Sequence, residues 1–345
     1  MQENSVGYRT SNLYPYGSTA RLRADVLATL GVLKIATPRQ ITLLVRPAAK
    51  SSKAVSNALL DLARYHLAVP DGFTRTPPGL LRQHPRAKAQ KLWRLTPGGL
   101  QAAAEVLPTG TPLGSTARGA GRSGAPHAML VNSLIVAFTR GGTADGAPGG
   151  IGAVTDWQTE VQHPIAGRES VITDAVLRAP QAGVPVLLVE ADRSTMDPGR
   201  VAHKLSRYRA YFRRAVRLPG HRQATPLWRL TYPDTGREGY PPVALVLAGA
   251  GPRGLEQRAA AVEDLTRTCW QGRPQQSWGT GHTDYADTVP VVVTTLPQLQ
   301  EAGPLGASWR RFGRTEWQPL GAALDNPDGE RARQRLSPAV DQSGR

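Results

Sequence analysis

The chain has 345 residues, 40% of them hydrophobic, which suits a globular protein of about two domains at roughly 150 residues each. Its 42 lysines and arginines outnumber its 26 acids and leave a net charge of +16, so an anionic partner is expected, with nucleic acid the leading candidate. No apolar run approaches the roughly 18 residues of a membrane span. Residues 1–18 lack the apolar core of a signal peptide, and the single cysteine, Cys269, allows neither an internal disulfide nor a cysteine metal cluster. We therefore expect a cytoplasmic protein without a membrane partner.

The first part of the chain predicts three short helices. Apolar residues recur at helical spacing over residues 21–35, at Leu22, Val26, Leu30 and Leu33. A second helix is expected to start after Thr37, a good N-cap residue, with Pro38 at its first helical position. A third helix starts at Ser51 or Ser52, and its buried stripe is predicted to consist of Val55, Leu59, Leu62 and His66.

A hairpin and a fourth helix complete this pattern. The segment "VPDGF", residues 69–73, is expected to turn the chain, "KLWRL" predicts a short strand, and "TPGGLQAAAEVL" predicts a helix. Three short helices and a hairpin form a winged helix-turn-helix, in which the third helix enters the major groove of DNA and the wing follows the backbone. A winged helix that contacts protein instead of DNA is the alternative.

Charge favours the DNA-binding interpretation of this first domain. Residues 19–94 contain 14 lysines and arginines against three acids, so they carry +11 of the net charge of +16. On the third helix, the candidates for DNA contact lie off the apolar stripe and are Lys53, Ser56, Asn57 and Arg64. The predicted wing is long and basic, and its candidate phosphate contacts are Arg82, Arg86, Lys88 and Lys91.

Composition divides the rest of the chain. Residues 109–124 have the composition of a flexible linker, and residues 1–18 and 323–345 are expected to be disordered. This leaves a winged-helix domain over residues 19–108 and a second domain over residues 125–322. In the second domain helices alternate with strands, among them the buried "VPVLLVEAD" and "PPVALVLAG", which predicts an α/β (α+β) fold with helices on the faces of a sheet.

Acids meet at the end of one predicted strand of this sheet. Glu190 and Asp192 are two residues apart, so their side chains point to the same face. A hairpin centred near Ala182 would set Asp174 opposite Glu190, with Cβ atoms about 5 Å apart. Like charges this close require a proton or a cation, and hard oxygen ligands suit Mg²⁺ or Mn²⁺. The sequence therefore predicts a metal site at Asp174, Glu190 and Asp192.

Lys204 on the following helix is a candidate catalytic cation. The chain has six lysines against 36 arginines, and Lys204 is the only lysine after Lys91, which favours a specific need for a compact charge. A simple salt bridge to one of the acids is the alternative. Other polar groups nearby are expected to play structural roles: His127 and His203 to pack or cap, and Tyr208 and Tyr211 to lie in the core. The alternatives are a contact of His203 with DNA or substrate, and a use of Tyr208 or Tyr211 as a covalent nucleophile in strand transfer.

The order of these residues resembles the active site of the PD-(D/E)xK nucleases. In that pattern metal-bound carboxylates activate water, and a lysine supports the nucleophile or the charge on the phosphate. The match departs from the family at two positions, because Thr173 replaces the usual proline and Asp192 replaces the usual lysine. The resemblance implies a restriction-endonuclease-like mixed sheet, with Lys204 as a displaced lysine. Glu160, or a residue of the helix over 126–140, is a further candidate ligand.

A closer resemblance covers about residues 20–250. The segments "HAMLVN", "ITDAVL" and "LLVEADRSTMDPGRVAHKLSRYRAYF", together with the N-terminal helices, are similar to the replication-relaxation family of plasmids and conjugative elements. Its most specific part is Glu190-x-Asp192 followed by Ser194-Thr195, Lys204 and Tyr208. The resemblance implies a role in plasmid replication and in DNA relaxation or mobilisation.

Three functions remain open on these grounds. The first is a metal-dependent nickase or endonuclease that acts on double-stranded DNA at a plasmid origin or element end. The second is a replication or transfer factor that binds DNA but has lost catalysis. The third is a transcriptional regulator whose second domain serves as a ligand or dimerisation module. A homodimer, or a complex with other replication or transfer proteins, is compatible with each of them.

Overall fold

The computed structural model describes residues 13–74, 89–109, 111, 113, 125–220, 222–275 and 282–327. The chain forms two compact units, Met1–Ala125 and Pro126–Arg345. Most of the predicted linker over residues 109–124, and the tails before residue 13 and after residue 327, lie outside the described residues. Within the described ranges, no helix has both the length and the apolar character that crossing a lipid bilayer requires.

The first unit combines four helices with a small antiparallel sheet in its described part. The sheet has the strand order β1-β3-β2. Its elements in chain order are α1 (Ala20–Leu33), β1 (Ile35–Ala36), α2 (Pro38–Val45), α3 (Lys53–Arg64), β2 (Ala68–Phe73), β3 (Lys91–Leu95) and α4 (Pro97–Val106).

Local sequence signals start these helices where they were expected. The Thr37 side chain accepts the backbone N–H of Gln40, and the Gln40 side chain accepts the backbone N–H of Thr37, which forms a capping box at the start of α2. The Thr19 and Thr96 side chains cap α1 and α4 by accepting the backbone N–H groups of Leu22 and Gly99. The predicted apolar stripes are buried, with Val55 and Leu59 of α3 fully shielded from solvent.

Three expectations for the first unit were wrong in detail. His66 does not continue the buried stripe of α3, because the helix ends at Arg64 and His66 is exposed with a φ of 55°. The segment 69–73, expected to be a turn, belongs to β2, whose pairing with β3 is irregular between Pro70 and Phe73. Residues 13–18, expected to be disordered, are held in part by the buried Asp61, whose carboxylate accepts the backbone N–H groups of Tyr16 and Ser18.

The second unit is built on a six-stranded mixed sheet in its described part, with the strand order β13-β12-β9-β6-β5-β4. Its elements are α5 (Ala125–Arg140), β4 (Trp157–Pro164), β5 (Ser170–Ala179), β6 (Val184–Asp192), α6 (Pro198–Arg213), β7 (Ala215–Val216), β8 (Thr225–Pro226), β9 (Val243–Leu247), α7 (Pro252–Leu265), α8 (Arg267–Trp270), β10 (Arg273–Gln275), β11 (His282–Asp284), β12 (Val291–Thr295), α9 (Leu296–Ala302), β13 (Arg310–Arg311) and α10 (Leu320–Leu324).

The strand β6 lies at the centre of this sheet, where the pairing of strands changes from antiparallel to parallel. It pairs antiparallel with β5 on one side and parallel with β9 on the other. The parallel strands β6, β9 and β12 follow one another through α6 and α7, and both helices pack on the same face of the sheet. On that face Val186 and Leu188 share one core cluster with Tyr208 of α6 and Leu255 of α7. By the alternation of a strand, Glu190 and Asp192 point to this same face.

The end of the described chain is packed rather than free. Ala323 and Leu324 are buried in α10, although a disordered tail was expected from residue 323. The buried guanidinium of Arg311 donates to the carbonyl of Leu324 at 3.0 Å and to Asn326 Oδ1 at 2.8 Å. These contacts attach the segment up to residue 327 to the edge strand β13.

Two adjacent glycines in α4 allow a matched test of the packing in the first unit. A Cβ added at Gly99 would lie 1.8 Å from the Leu67 carbonyl oxygen, which Thr96 N–H holds in place, whereas one added at Gly98 meets nothing closer than 3.9 Å. We expect Gly99→Ala to lower the free energy of unfolding by about 1–3 kcal/mol or more. Gly98→Ala should raise it by up to about 1 kcal/mol through helix propensity. Urea denaturation measures both, and equal effects would contradict the close approach.

Candidate functional site

Two neighbouring strands bring Asp174 and Glu190 together. The hairpin of β5 and β6 pairs Ala175 with Val189 and Val176 with Leu188, which is the expected register. In this register position 174 lies across from position 190. The backbone N–H of Ala191 donates to Asp174 Oδ2 at 2.9 Å, which ties the first acid directly to the strand that carries the second.

Lys204 bridges these two acids from α6. This helix begins at the N-cap Asp197, whose carboxylate accepts the Gly199 N–H, and Pro198 occupies its first turn. The Lys204 ammonium lies 3.2 Å from Asp174 Oδ1 and also contacts Glu190 Oε2. The Lys204 side chain is 31% exposed, whereas those of Asp174 and Glu190 are 14% and 7% exposed. Solvent therefore reaches the cluster of Asp174, Glu190 and Lys204 mainly on the side of the lysine.

The remaining oxygens of the two acids also have partners. His127 of α5 places its Nε2 atom 3.4 Å from Asp174 Oδ1. The hydroxyl of Tyr208, one turn after Lys204, contacts Glu190 Oε1. Every carboxylate oxygen of the two acids therefore faces a nitrogen or a hydroxyl of the protein.

Asp192 forms a separate ion pair. The guanidinium of Arg258 on α7 contacts both of its carboxylate oxygens, with Nη2 donating to Oδ1 at 3.1 Å, and the Ser194 N–H donates to Oδ1 at 2.9 Å. Both side chains are buried, at 9% and 7% exposure for Arg258 and Asp192. The structure thus brings two of the three predicted ligands together and pairs the third elsewhere. Across the described ranges, no three His, Cys, Asp or Glu side chains form a group that could hold a metal ion.

A chain of hydrogen bonds continues from Glu190 into the core. The Tyr208 hydroxyl lies 2.7 Å from Thr173 Oγ1, and Thr173 Oγ1 lies 3.2 Å from His163 Nδ1. His163 Nε2 contacts the hydroxyl of Tyr232. With Glu190 ionised, these groups can donate in sequence from Tyr232 towards the carboxylate. Burial lowers the pKa of His163 to about 4, which keeps this ring neutral.

The pKa values of the two acids are shifted in opposite directions. Burial raises the pKa of Asp174, but the hydrogen bond from His127 and the charge of Lys204 outweigh it and lower the pKa to about 2. Burial and the charge of Asp174 raise the pKa of Glu190 well above its ordinary value, although Lys204 and Tyr208 oppose the shift. Burial lowers the pKa of Lys204, but the two carboxylates outweigh burial and raise it. Asp174 is therefore the permanent anion, and Glu190 is the acid that takes up a proton first.

The predicted DNA-contacting residues of the first unit lie at or near its surface where they are described. Lys53, Arg64 and Lys91 are exposed, and Ser56 and Asn57 are half-buried. The Asn57 side chain already donates to the Tyr16 carbonyl at 3.0 Å, so part of its hydrogen-bonding capacity is used within the protein. The remaining candidates lie outside the described residues, and these are Arg82, Arg86 and Lys88.

Several contributors to the site were missed from the sequence. His127 was expected to pack or cap, although it lies on the helix over residues 126–140 that was a candidate source of a further ligand. Glu160, the other candidate for that ligand, is exposed on β4. Tyr208 was expected in the core and is buried there, but it also holds Glu190. One signal was available for Arg258, which lies three residues after Leu255 and four before Val262. That spacing places it on the buried face of α7.

The pair of Arg258 and Asp192 should be a stability element. Arg258→Met leaves a buried carboxylate without its cation, so we expect the free energy of unfolding to fall by about 3–5 kcal/mol. Adding Asp192→Asn should recover most of the loss, because neither charge then remains. The control is Arg267→Met, which breaks an exposed pair with Asp264 and should change stability by less than about 1 kcal/mol. A double variant as unstable as Arg258→Met would contradict the pairing.

The role of Lys204 as a counter-ion predicts a pH-dependent loss of stability. In Lys204→Met the pKa of Glu190 should rise further above its unfolded value of 4.5, and the pKa of Asp174 should rise from about 2 while His127 still holds it down. A carboxyl with a raised folded pKa stabilises the protein less as pH rises through that pKa. The difference in unfolding free energy between parent and variant should therefore grow from about pH 4 to about pH 8, towards about 3–5 kcal/mol.

Urea denaturation across this pH range measures that difference. The added substitution Glu190→Gln removes one of the two charges and should flatten the pH dependence. A difference that stays constant with pH would show that Lys204 does not neutralise the acids.

Comparison with known proteins identifies the family of this chain. A family model described as replication-relaxation matches residues 27–226, which is more than half of the chain. The match begins in α1 and ends in β8, so it includes Asp174, Glu190 and Lys204 and stops before α7. Searches among curated proteins and among solved structures give no match. On this evidence the chain belongs to the replication-relaxation family.

Proposed function

We propose that this protein acts in the replication or mobilisation of a plasmid or conjugative element, binds double-stranded DNA through its first unit, and nicks or cuts DNA in its second unit. Membership of the replication-relaxation family supports the biological role. The observation that carries the chemical proposal is the position of Lys204 between Asp174 and Glu190. The two acids and the lysine are the residue types of a PD-(D/E)xK site, and the lysine is their solvent-facing member.

The first unit supports the DNA-binding part of the proposal. Its element order, with three helices followed by the antiparallel strands β2 and β3, agrees with the order expected of a winged helix. In such a unit α3 would enter the major groove, and Lys53 and Arg64 are exposed on that helix. The net charge of +11 over residues 19–94 favours phosphate contact.

Two of the three predicted metal ligands suit a divalent ion. Asp174 Oδ1 and Glu190 Oε2 converge on one cation, the ammonium of Lys204. Mg²⁺ is commonly held by one or two carboxylates, with water and phosphate oxygens as further ligands. Asp192 does not suit this role, because Arg258 contacts both of its carboxylate oxygens. We therefore assign Mg²⁺ or Mn²⁺ to Asp174 and Glu190 alone.

The chain's own residues would then have distinct tasks. A bound divalent ion would supply an activated water and stabilise negative charge on the phosphate. Ala191 N–H and Tyr208 hold the orientation of the two carboxylates through the oxygens that do not face Lys204. Lys204 would place a compact positive charge next to the phosphate that is attacked.

Strand cleavage tests this assignment. Supercoiled plasmid carrying the cognate origin is incubated with the full-length protein and Mg²⁺ or Mn²⁺. Glu190→Gln and Lys204→Arg should each lower the cleavage rate by at least about 100-fold. Duplex binding should stay within about twofold, because phosphate contacts of the first unit supply most of it. The matched control is Glu256→Gln, the same isosteric change at an exposed residue of α7, which should cleave as the parent does.

A second candidate is a DNA-binding replication or transfer factor without catalysis, or a transcriptional regulator with a nuclease-like dimerisation domain. The observation that favours it is that all four oxygens of Asp174 and Glu190 already have partners in the protein. This candidate would be supported if the parent binds the origin but never cleaves it, and if added Mg²⁺ or Mn²⁺ does not change the melting temperature. A parent that does not bind DNA would contradict both.

A further inference from the structure

A cleft of about 710 Å³ lies beside the cluster of Asp174, Glu190 and Lys204. Its walls are the start of β5 and the first three turns of α6. The side chains that matter for its chemistry are Ile172, Arg200, His203, Lys204 and Arg207. Lys204 belongs both to the cleft and to the cluster, so a ligand in the cleft would reach the acids through the lysine.

Four nitrogen-bearing side chains form a continuous stripe along this cleft. Arg200, His203, Lys204 and Arg207 are separated by three, one and three residues, which places all of them on one face of the helix. Arg200 and His203 are exposed, and Arg207 is half-buried. The stripe therefore leads from solvent to the candidate catalytic lysine over two turns of α6.

Lys204 is paired with Asp174 and Glu190, but the other three side chains of the stripe have no acidic partner among the described residues. Neither Arg200 nor His203 forms a salt bridge within the described ranges, and the Arg200 guanidinium contacts the sulfur of Met196 at 3.7 Å. Arg207 donates from Nη2 to the Ser170 carbonyl at 2.6 Å, which is a neutral partner. The acid that lines the cleft, Asp197, is engaged as the N-cap of α6. This surface therefore suits an anionic ligand.

Apolar side chains accompany the basic ones. Ile172 is 50% exposed on the wall of the cleft, and Met196, which Arg200 contacts, is 53% exposed. A row of nitrogen-bearing side chains beside exposed apolar groups suits a nucleic-acid strand, whose phosphates meet the nitrogens while its sugars and unstacked bases meet the apolar surface. A paired duplex would offer the phosphates but keep its bases stacked inside.

We propose that this cleft binds the phosphodiester backbone of a single DNA strand and guides it to Lys204. Arg200 and His203 contact successive phosphates, and Ile172 and Met196 contact the sugars or bases between them. The proposal rests on the proposed function, since it assigns the strand that the second unit would cut. It adds a second DNA-binding surface, separate in sequence from the basic first unit.

The test uses the full-length protein and the double variant Arg200→Gln with His203→Gln. Both residues are exposed, and thermal melting checks that the fold is kept. The control is Arg253→Gln, an exposed arginine of α7 outside the cleft. Binding of a labelled single-stranded oligonucleotide and of the matching duplex is measured by fluorescence anisotropy over a salt series. A chelator is present, so no cleavage step enters the result.

The double variant should bind the single strand about 10-fold more weakly at moderate salt, and the slope of log affinity against log salt should fall by about 1 to 2 units. Duplex affinity and the control should change by less than about twofold. A single strand carrying photoreactive bromodeoxyuridine should cross-link to the segment from Met196 to Arg207 in the parent and lose that cross-link in the variant.

Failure of this proposal can be told apart from failure of the proposed function. A double variant that binds the single strand as the control does, or cross-links confined to the first unit, would overturn the cleft assignment, whatever the cleavage assay shows. A loss confined to the duplex would overturn the assignment to a single strand. If single-strand binding and the cross-link are lost as expected while the parent never cleaves, the cleft assignment stands and only the nuclease activity is rejected.

Discussion

The Lys204 ammonium lies between two carboxylates that would otherwise repel each other at the centre of a buried sheet. Burial by itself raises the pKa of both acids, and the lysine and His127 reverse that effect at Asp174. The hairpin of β5 and β6 and the helix α6 therefore depend on each other in the folded state, since the strands carry the acids and the helix carries their cation. The hydrogen bonds from Tyr208 through Thr173 to His163 connect this ion cluster to the core.

The three acids of β5 and β6 are divided between two cations on two helices. Lys204 of α6 takes Asp174 and Glu190, and Arg258 of α7 takes Asp192. Their surroundings differ, because Lys204 is 31% exposed and opens onto a basic cleft, whereas Arg258 is 9% exposed and enclosed. An accessible ion cluster can meet a ligand, but an enclosed pair mainly holds the fold. This difference separates the candidate reaction centre from its structural neighbour.

The family match includes Lys204 but not Arg258. Residues 27–226 include the first unit, the antiparallel strands and α6, and so they include the cluster around Lys204. The helix α7, with Arg258, lies beyond the match, as do β9 and β12, which extend the sheet on its parallel side. The matched part therefore contains the accessible cluster but depends on later elements to neutralise Asp192 and to cover one face of the sheet.

The sequence by itself determined the elements and the local geometry of the site. Apolar periodicity and caps located the helices, and the symmetry of one hairpin predicted that Asp174 would face Glu190, because a strand register depends on residues close in the chain. Only the tertiary structure decided that Asp192 turns to Arg258, 66 residues away, and that His127 reaches Asp174. It also showed that Asp61 holds residues 16 and 18. Such pairs form between elements that are far apart in the sequence and meet only on folding. The residue pattern around one side chain therefore does not identify its partner.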